Sequence, residues 1–210
     1  MTEFSFVAFC SIFFLVDPFA AIPPFLAMTQ DADPESRRRM AVRAAWTCFT
    51  VLSLFAISGS IIFKFFGITL PAFEIAGGLI LLLIGLEMLQ ARRSTQEGIS
   101  ETEEGSHKED IGITPLGIPL LAGPGAISTV MVLMGGAPTW QHVIPIFFAI
   151  GVTAYASYLI LASANRVRKS MGETGIRIMM RIMGLMLTAI AVQFVINGLA
   201  RLNIINIPQQ

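Results

Sequence analysis

Gly123-Pro124-Gly125 lies inside an apolar segment that otherwise has the length of a membrane span. A regular helix cannot run through it. Proline lacks a backbone donor and crowds the carbonyl one turn back, and glycine relaxes the chain on either side. In hydrocarbon the freed N–H and C=O groups cost several kcal/mol each unless protein or water satisfies them. Broken backbone at membrane depth is therefore tolerated only where it faces a protein interior or an aqueous cavity. The remaining segments must be arranged to supply that interior.

A second break lies near the N-terminus, in Asp17-Pro-Phe-Ala-Ala-Ile-Pro-Pro-Phe25. Shifting one stretch on the other by 101 positions superposes Pro18 on Pro119, Ala21 on Ala122 and Pro23 on Pro124. The shared pattern is P-x-x-A-x-P, once in each half. Proline-broken spans at corresponding positions of two halves are the best sequence pointer to a transporter's binding site.

Composition sets the surroundings of these breaks. Of 210 residues, 54% are hydrophobic and only 13% charged, against about a quarter charged in soluble domains. This is a membrane protein with the bilayer as its solvent. The formal net charge is zero, so no basic footprint points to nucleic acid. Cys10 and Cys48 lie within apolar runs and read as small buried hydrophobes. The N-terminus has no positive n-region and no small-residue cleavage site, so the first span is expected to stay in the mature protein.

A span needs roughly 20 apolar residues, and six stretches qualify: 4–28, 41–66, 70–90, 112–135, 140–163 and 177–201. Gln30 to Arg39 reads as a polar loop that ends in a basic cluster. Phe66 to Pro71 reads as a tight turn, and Gly135 to Thr139 as a short connection. Asn165 to Gly175 reads as a basic loop. Residues 91–111 are hydrophilic, with Glu, Ser, Gly and Thr and no aromatic residue, and read as a disordered linker. The domain division that follows is a first three-span repeat over 1–90, the linker 91–111, and a second repeat over 112–210, all within one membrane domain.

With six spans, Arg37, Arg38, Arg39, Arg43, Arg92, Arg93, Lys108, Arg166, Arg168, Lys169 and Arg177 fall on one side. Lys64 and Arg201 fall on the other, with Arg181 just inside the last span. The positive-inside rule places the loaded side in the cytoplasm and both termini outside. Three spans per half then require the halves to be inverted. Glu74-Ile-Ala-Gly77 matches Arg181-Ile-Met-Gly184 at an offset of 107, which supports the repeat. The expected fold is all-α: six transmembrane helices as a 3+3 inverted repeat, with spans one and four broken at the Pro/Gly motifs.

Two chemistries are open at the breaks. Asp17 suits the N-cap of a half-helix beginning at Pro18, and a carboxylate at this depth also suits uptake of a proton or Na⁺. The half-helix after Pro124 has free N–H groups and the positive end of its dipole at the break, which suits a carboxylate ligand. Ser128 and Thr129 can add hydroxyl contacts or bond back to the preceding turn. Gln193 and Asn197 can line a polar seam or bond a neighbouring helix. Gly77, Gly78, Gly85 and Gly184 read as close packing points. Glu74 and Arg181 are expected not to pair with each other, each making an interfacial or local helix-end contact, and Glu87 is expected to be solvated. His107 and His142 have no metal-ligand partners at useful spacing, and no nucleophile elbow, Walker loop or zinc-protease motif is present. No metal, no cofactor and no enzymatic activity are expected.

Asp17-Pro-Phe-Ala-Ala-Ile-Pro-Pro-Phe, Ile118-Pro-Leu-Leu-Ala-Gly-Pro-Gly-Ala-Ile and Arg181-Ile-Met-Gly-Leu-Met-Leu-Thr-Ala-Ile-Ala-Val-Gln-Phe together resemble the MarC family of bacterial and archaeal inner-membrane proteins. The similarity runs over nearly the whole chain. Where that family often has Asn before the first proline, this chain has Asp17, and a neutral amide can serve the same cap. The family is named for a link to multiple antibiotic resistance, and some members are described as transporters of small neutral amino acids such as glycine and alanine. The resemblance implies a transporter-like protein and leaves the substrate open. Together with the chemistry of the breaks, the expected function is a secondary transporter or exporter of small neutral amino acids, with coupling to H⁺ or Na⁺ left open. Its site is expected at Asp17, Pro18 and Pro23 on one side and Gly123, Pro124, Gly125 and Ser128 on the other, with Gln193 and Asn197 nearby. The implied partners are a small-molecule substrate and the lipid bilayer, and a homo-oligomer is compatible with this reading. A lipid-carrier translocase and a non-transporting membrane partner are the alternatives.

Overall fold

Apolar chain in hydrocarbon must satisfy its backbone within each segment, and the helix does so locally. The computed structural model describes residues 2–29, 32–90, 112–137 and 139–202, and the regular elements among them are all helical. They are α1 (Thr2–Val16), α2 (Ile22–Met28), α3 (Pro34–Phe66), α4 (Leu70–Gln90), a π-helical segment (Leu116–Leu121), α5 (Pro124–Gly135) and α6 (Trp140–Arg201). Four stretches are long and apolar enough to cross a membrane: Pro34–Phe66, Leu70–Leu89, Trp140–Ala164 and Arg177–Arg201. Large apolar side chains such as Phe6, Phe14, Ile57, Phe65, Trp140 and Phe148 point outward. An outer surface of that kind is stable against lipid and not against water, so the protein is an integral, multi-pass membrane protein.

Helix extends into two expected loops. Of the stretch from Gln30 to Arg39, the part from Pro34 onward forms the start of α3. Asp33 caps it, with Oδ1 accepting from the amides of Glu35 and Ser36 at 2.9 Å each and Oδ2 accepting from Ser36 Oγ at 2.6 Å. Asp followed by Pro at the first helical position is a start signal, and the arginines after it are good helix formers. The Ser36 hydroxyl, followed by the Ser36 amide, lowers the Asp33 carboxyl to a pKa of about 2. From Asn165 to Gly175 helix is found on both sides of Gly172, whose backbone (φ 64°, ψ −179°) breaks α6 into two helices, so the expected connection contracts to a kink within that stretch. Hydropathy reports where lipid ends, and these polar residues have no reason to leave the helix there. The turn at Phe66–Pro71 forms as expected, with Gly67 in the left-handed region (φ 64°) closing α3. The linker 91–111 lies outside the described residues.

Small residues let the helices approach closely, which is how apolar helices associate in lipid. α4 runs antiparallel to the Arg177–Arg201 half of α6. A Cβ added at Gly85 would meet Thr188 and Gly184, one at Gly78 would meet Ala191, Phe194 and Val195, and Gly198 sits against Pro71 and Ile75. The expected packing role of Gly78, Gly85 and Gly184 is thus met. The 112–135 segment runs alongside α3 in the same direction: Gly112 lies against Met40 and Arg43, Gly117 against Thr47, and Met131 against Gly59. Met40 to Gly59 is about 28 Å of helix at 1.5 Å per residue. α1 begins where α6 begins, with Phe4 edge-on to His142 at 5.0 Å. α2 ends where α3 begins, with Arg37 Nε donating to the Thr29 carbonyl at 2.8 Å. From the middle of the protein, α2 therefore runs toward the start of α3 and α5 toward its far end.

Candidate functional site at two buried helix breaks

The first break is a tight turn. α1 stops at Val16, and Asp17 takes a positive φ of 40°, a conformation that Asp tolerates better than most residues. Its Oδ1 accepts from the Ala20 amide at 3.2 Å. Asp17 thus caps the turn from Pro18 to Ala21, and the half-helix itself begins at Ile22 rather than at Pro18. Pro23 occupies the first turn of α2, where its missing donor costs nothing. Pro18, Ala21, Pro23 and Pro24 are all buried, while Asp17 is partly exposed.

The second break is longer. Residues Leu116–Leu121 are wound as a π-helix, with bonds from Ile118, Leu120 and Ala122 amides to the carbonyls of Ile113, Pro115 and Gly117. Ile118 is extended (φ −133°, ψ 127°). Gly123 is extended and carries no side-chain cap, Pro124 opens α5, and the Ile127 amide makes the first intrahelical bond, to Gly123, at 3.0 Å. The amides of Gly125 and Ala126 lie in the uncapped first turn, which has no intrahelical acceptor for them. Every residue from Gly123 to Ser128 is buried. Ser128 Oγ donates to the Gly125 carbonyl at 3.0 Å, so its hydroxyl proton is spent on its own turn.

What closes the second break is the α4–α6 pair. A Cβ on Gly77 would lie 2.3 Å from the Pro124 ring, and one on Gly125 would lie 2.3 Å from Phe194 Cζ. Gly77 and Phe194 are therefore the lid and floor of this break. Gly77 was legible as a packing point. Phe194 stands between the two polar residues singled out by sequence and carries no signal of its own. Gln193 and Asn197 are exposed and bond each other, Nε2 to Oδ1, at 2.7 Å, so they turn away from the break that their neighbour covers. The flanks of the two breaks, Val16, Ala21 and Phe25 with Leu121, Ala122 and Ala126, belong to one core cluster.

Glu74 is the charged residue closest to this arrangement in sequence terms, one turn before Gly77 on α4. Its side chain is 6% exposed and pairs with Arg201 at 3.0 Å, a contact between the two helix ends. Arg181 and Glu87 are exposed. Among the described residues no three His, Cys, Asp or Glu side chains cluster as a metal site, and Cys10 and Cys48 are free thiols. His142 bonds Thr139 Oγ1 at 2.9 Å, and His107 lies outside the described residues.

A sequence profile described as MarC family integral membrane protein matches residues 2–203. The chain belongs to the MarC family. It is 37% identical over 196 residues to a UPF0056 membrane protein of Aquifex aeolicus, covering 93% of this chain and 92% of that one. It is 40% identical over 197 residues to one of Methanocaldococcus jannaschii (94% and 96% covered) and 33% identical over 200 residues to one of Bacillus subtilis (93% and 95% covered). No solved structure matches. The two breaks thus belong to a MarC protein over essentially its full length.

Proposed function

We propose that this MarC protein is a secondary transporter or exporter of small neutral amino acids, built as six crossings in a 3+3 inverted repeat. The observation that carries the reading is the pair of buried breaks whose half-helices run in opposite directions from the centre of the molecule. A discontinuous helix with its N-terminus aimed into the protein is suited to a substrate carboxylate. The uncapped amides of Gly125 and Ala126 are that N-terminus, and glycine at 125 leaves room for a ligand to reach the backbone. Phe194 covers Gly125, so access requires that ring to move, and this makes it the gate in our reading. The six crossings follow if α1–α2 and the 112–135 segment each traverse the bilayer as broken spans. The length of the latter along α3 supports this. With the arginines of the α3 start facing the cytoplasm, both termini lie on the periplasmic side of the inner membrane.

Radiolabelled glycine and alanine flux in proteoliposomes, with and without imposed H⁺ or Na⁺ gradients, tests the proposal. Saturable, gradient-sensitive flux that Gly125→Leu abolishes in inserted protein is the expected result. Absence of flux for every small neutral amino acid in folded protein would refute it. A second reading, a lipid-carrier translocase, has one observation in its favour. An apolar groove of about 340 Å³ between α3 and α6, lined by Ala45, Trp46, Phe49, Gly151 and Tyr155, opens on the outer surface beside a cleft with Arg38 and Arg43. Flux of a lipid phosphate in place of an amino acid would favour that reading.

A further inference from the structure

Glu74 is the one charged side chain among the described residues that is buried, and neither break uses it. Oε1 accepts from Arg201 at 3.0 Å. Oε2 is buried and has no hydrogen-bond partner. Half of a carboxylate is thus satisfied and half is not, inside a protein whose outer surface faces lipid. A group in that position is expensive and calls for a role.

A metal cation is a poor occupant. Hard cations take several oxygen ligands, no acidic cluster is present among the described residues, and the Arg201 guanidinium already stands on the carboxylate. A proton needs a single oxygen and makes the buried carboxyl neutral, leaving the pair's one remaining charge on Arg201, whose side chain is exposed. We propose that Glu74 is a proton-binding site, with Oε2 as the acceptor atom and Arg201 as the counter-charge that protonation releases.

The surroundings fit this assignment. Arg201 is half-exposed, 53% for its side chain, and is the last residue of α6, so it can leave the pair and stay solvated. α5 and the π-helical segment, which pack against α4, contain no ionisable residue. α6 presents Arg201, its Arg181 lies toward the opposite end of the seam, and α3 contributes Lys64 at its end, exposed. Among the described residues no other charge is buried with the pair. Next to it, Gly198 packs on Pro71 and Ile75, and one turn along α4 Gly77 packs on Pro124. Charge loss at Glu74 therefore acts on the same α4–α6 seam that holds Phe194 over Gly125. On the transport reading, and resting on it, this makes H⁺ the coupling ion and moves that role from Asp17 to Glu74.

The proton site is tested without transport. The full-length protein in lipid nanodiscs is treated with an apolar carbodiimide, which adds to a protonated carboxyl group, and the adduct is located by mass spectrometry across a pH titration. Expected are an adduct at Glu74 that grows as pH falls, its absence in Glu74→Gln, and its persistence to higher pH in Arg201→Met, with Arg201→Lys close to wild type. A folded protein with no adduct at Glu74 at any pH, or one whose profile is identical in Arg201→Met, overturns the assignment. In proteoliposomes, Glu74→Gln should keep amino-acid exchange while gradient-driven accumulation falls to the level of protein-free vesicles. Accumulation that stays proton-driven in Glu74→Gln overturns the coupling. The labelling profile without flux in any variant supports the proton site and removes the transport reading.

Discussion

The two breaks share a sequence pattern and differ in what holds them. At the first, Asp17 supplies a cap inside the chain, accepting from Ala20, and the half-helix that follows is only seven residues long. At the second, no side chain caps Gly123, the half-helix is 12 residues long, and closure comes from elsewhere in the chain, through Gly77 and Phe194. The first break is satisfied locally. The second depends on how α4 and α6 sit. A site that must open and close is better built on the second kind, because moving a neighbouring helix changes it without refolding the turn.

Substitutions at the second break should therefore have the larger effects. Gly125→Leu puts a branched side chain into the Phe194 ring and the amide-rich turn, and transport should be lost while the protein still inserts. Flux and membrane-fraction yield measured together separate these outcomes. Normal flux in this variant would mean that the second break is not the site. Gly77→Ala comes next. Its Cβ would overlap the Pro124 ring, which cannot swing aside, so a loss of about 1–3 kcal/mol is expected from overpacking. Gly125→Ala meets only the far end of Phe194, a ring that can turn. It should cost less than Gly77→Ala, and Phe194→Ala should rescue it. Thermal unfolding in detergent checks the order, and failure of the rescue would show that the contact is not a simple one-to-one clash.

These contrasts also explain what was readable in advance. Pro18, Pro23, Gly123, Pro124 and Gly125 announce the breaks because their backbone chemistry is local. Gly78, Gly85 and Gly184 announce close packing for the same reason. The Glu74–Arg201 pair was hidden, since matching the halves aligned Glu74 with Arg181, whereas the contact follows from α4 starting where α6 ends. The beginnings and ends of helices in polar stretches were misread because lipid preference and helix preference are separate properties. Arg37 to Arg39 leave the apolar run and remain excellent helix residues. Phe194 was invisible because one aromatic side chain among many on an apolar helix is distinguished only by the glycine it happens to cover.

At the first break the effects should be moderate and chemically selective. Asp17→Ala removes the acceptor for Ala20 and places a Cβ residue without a compensating bond at φ 40°. A loss of about 1–2 kcal/mol is expected from the cap and the backbone conformation together. Asp17→Asn keeps an acceptor oxygen and tolerates the same conformation, so it should stay within about 0.5 kcal/mol of wild type. The pH and Na⁺ dependence of flux is the sharper measure. An unchanged profile in Asp17→Asn fits a cap, and a lost profile would return the coupling role to this carboxylate and take it from Glu74.

The smallest effect should come from Ser128→Ala. A serine whose hydroxyl is bonded to the carbonyl three residues back contributes little that alanine does not, and alanine is the better helix former. Stability should change by less than about 1 kcal/mol, and the KM for the transported amino acid should stay at the wild-type value. A marked rise in KM with unchanged unfolding would mean that the hydroxyl leaves the Gly125 carbonyl when substrate arrives. The second break would then bind through a side chain as well as through backbone amides, and its difference from the Asp17-capped first break would narrow to the matter of what closes it.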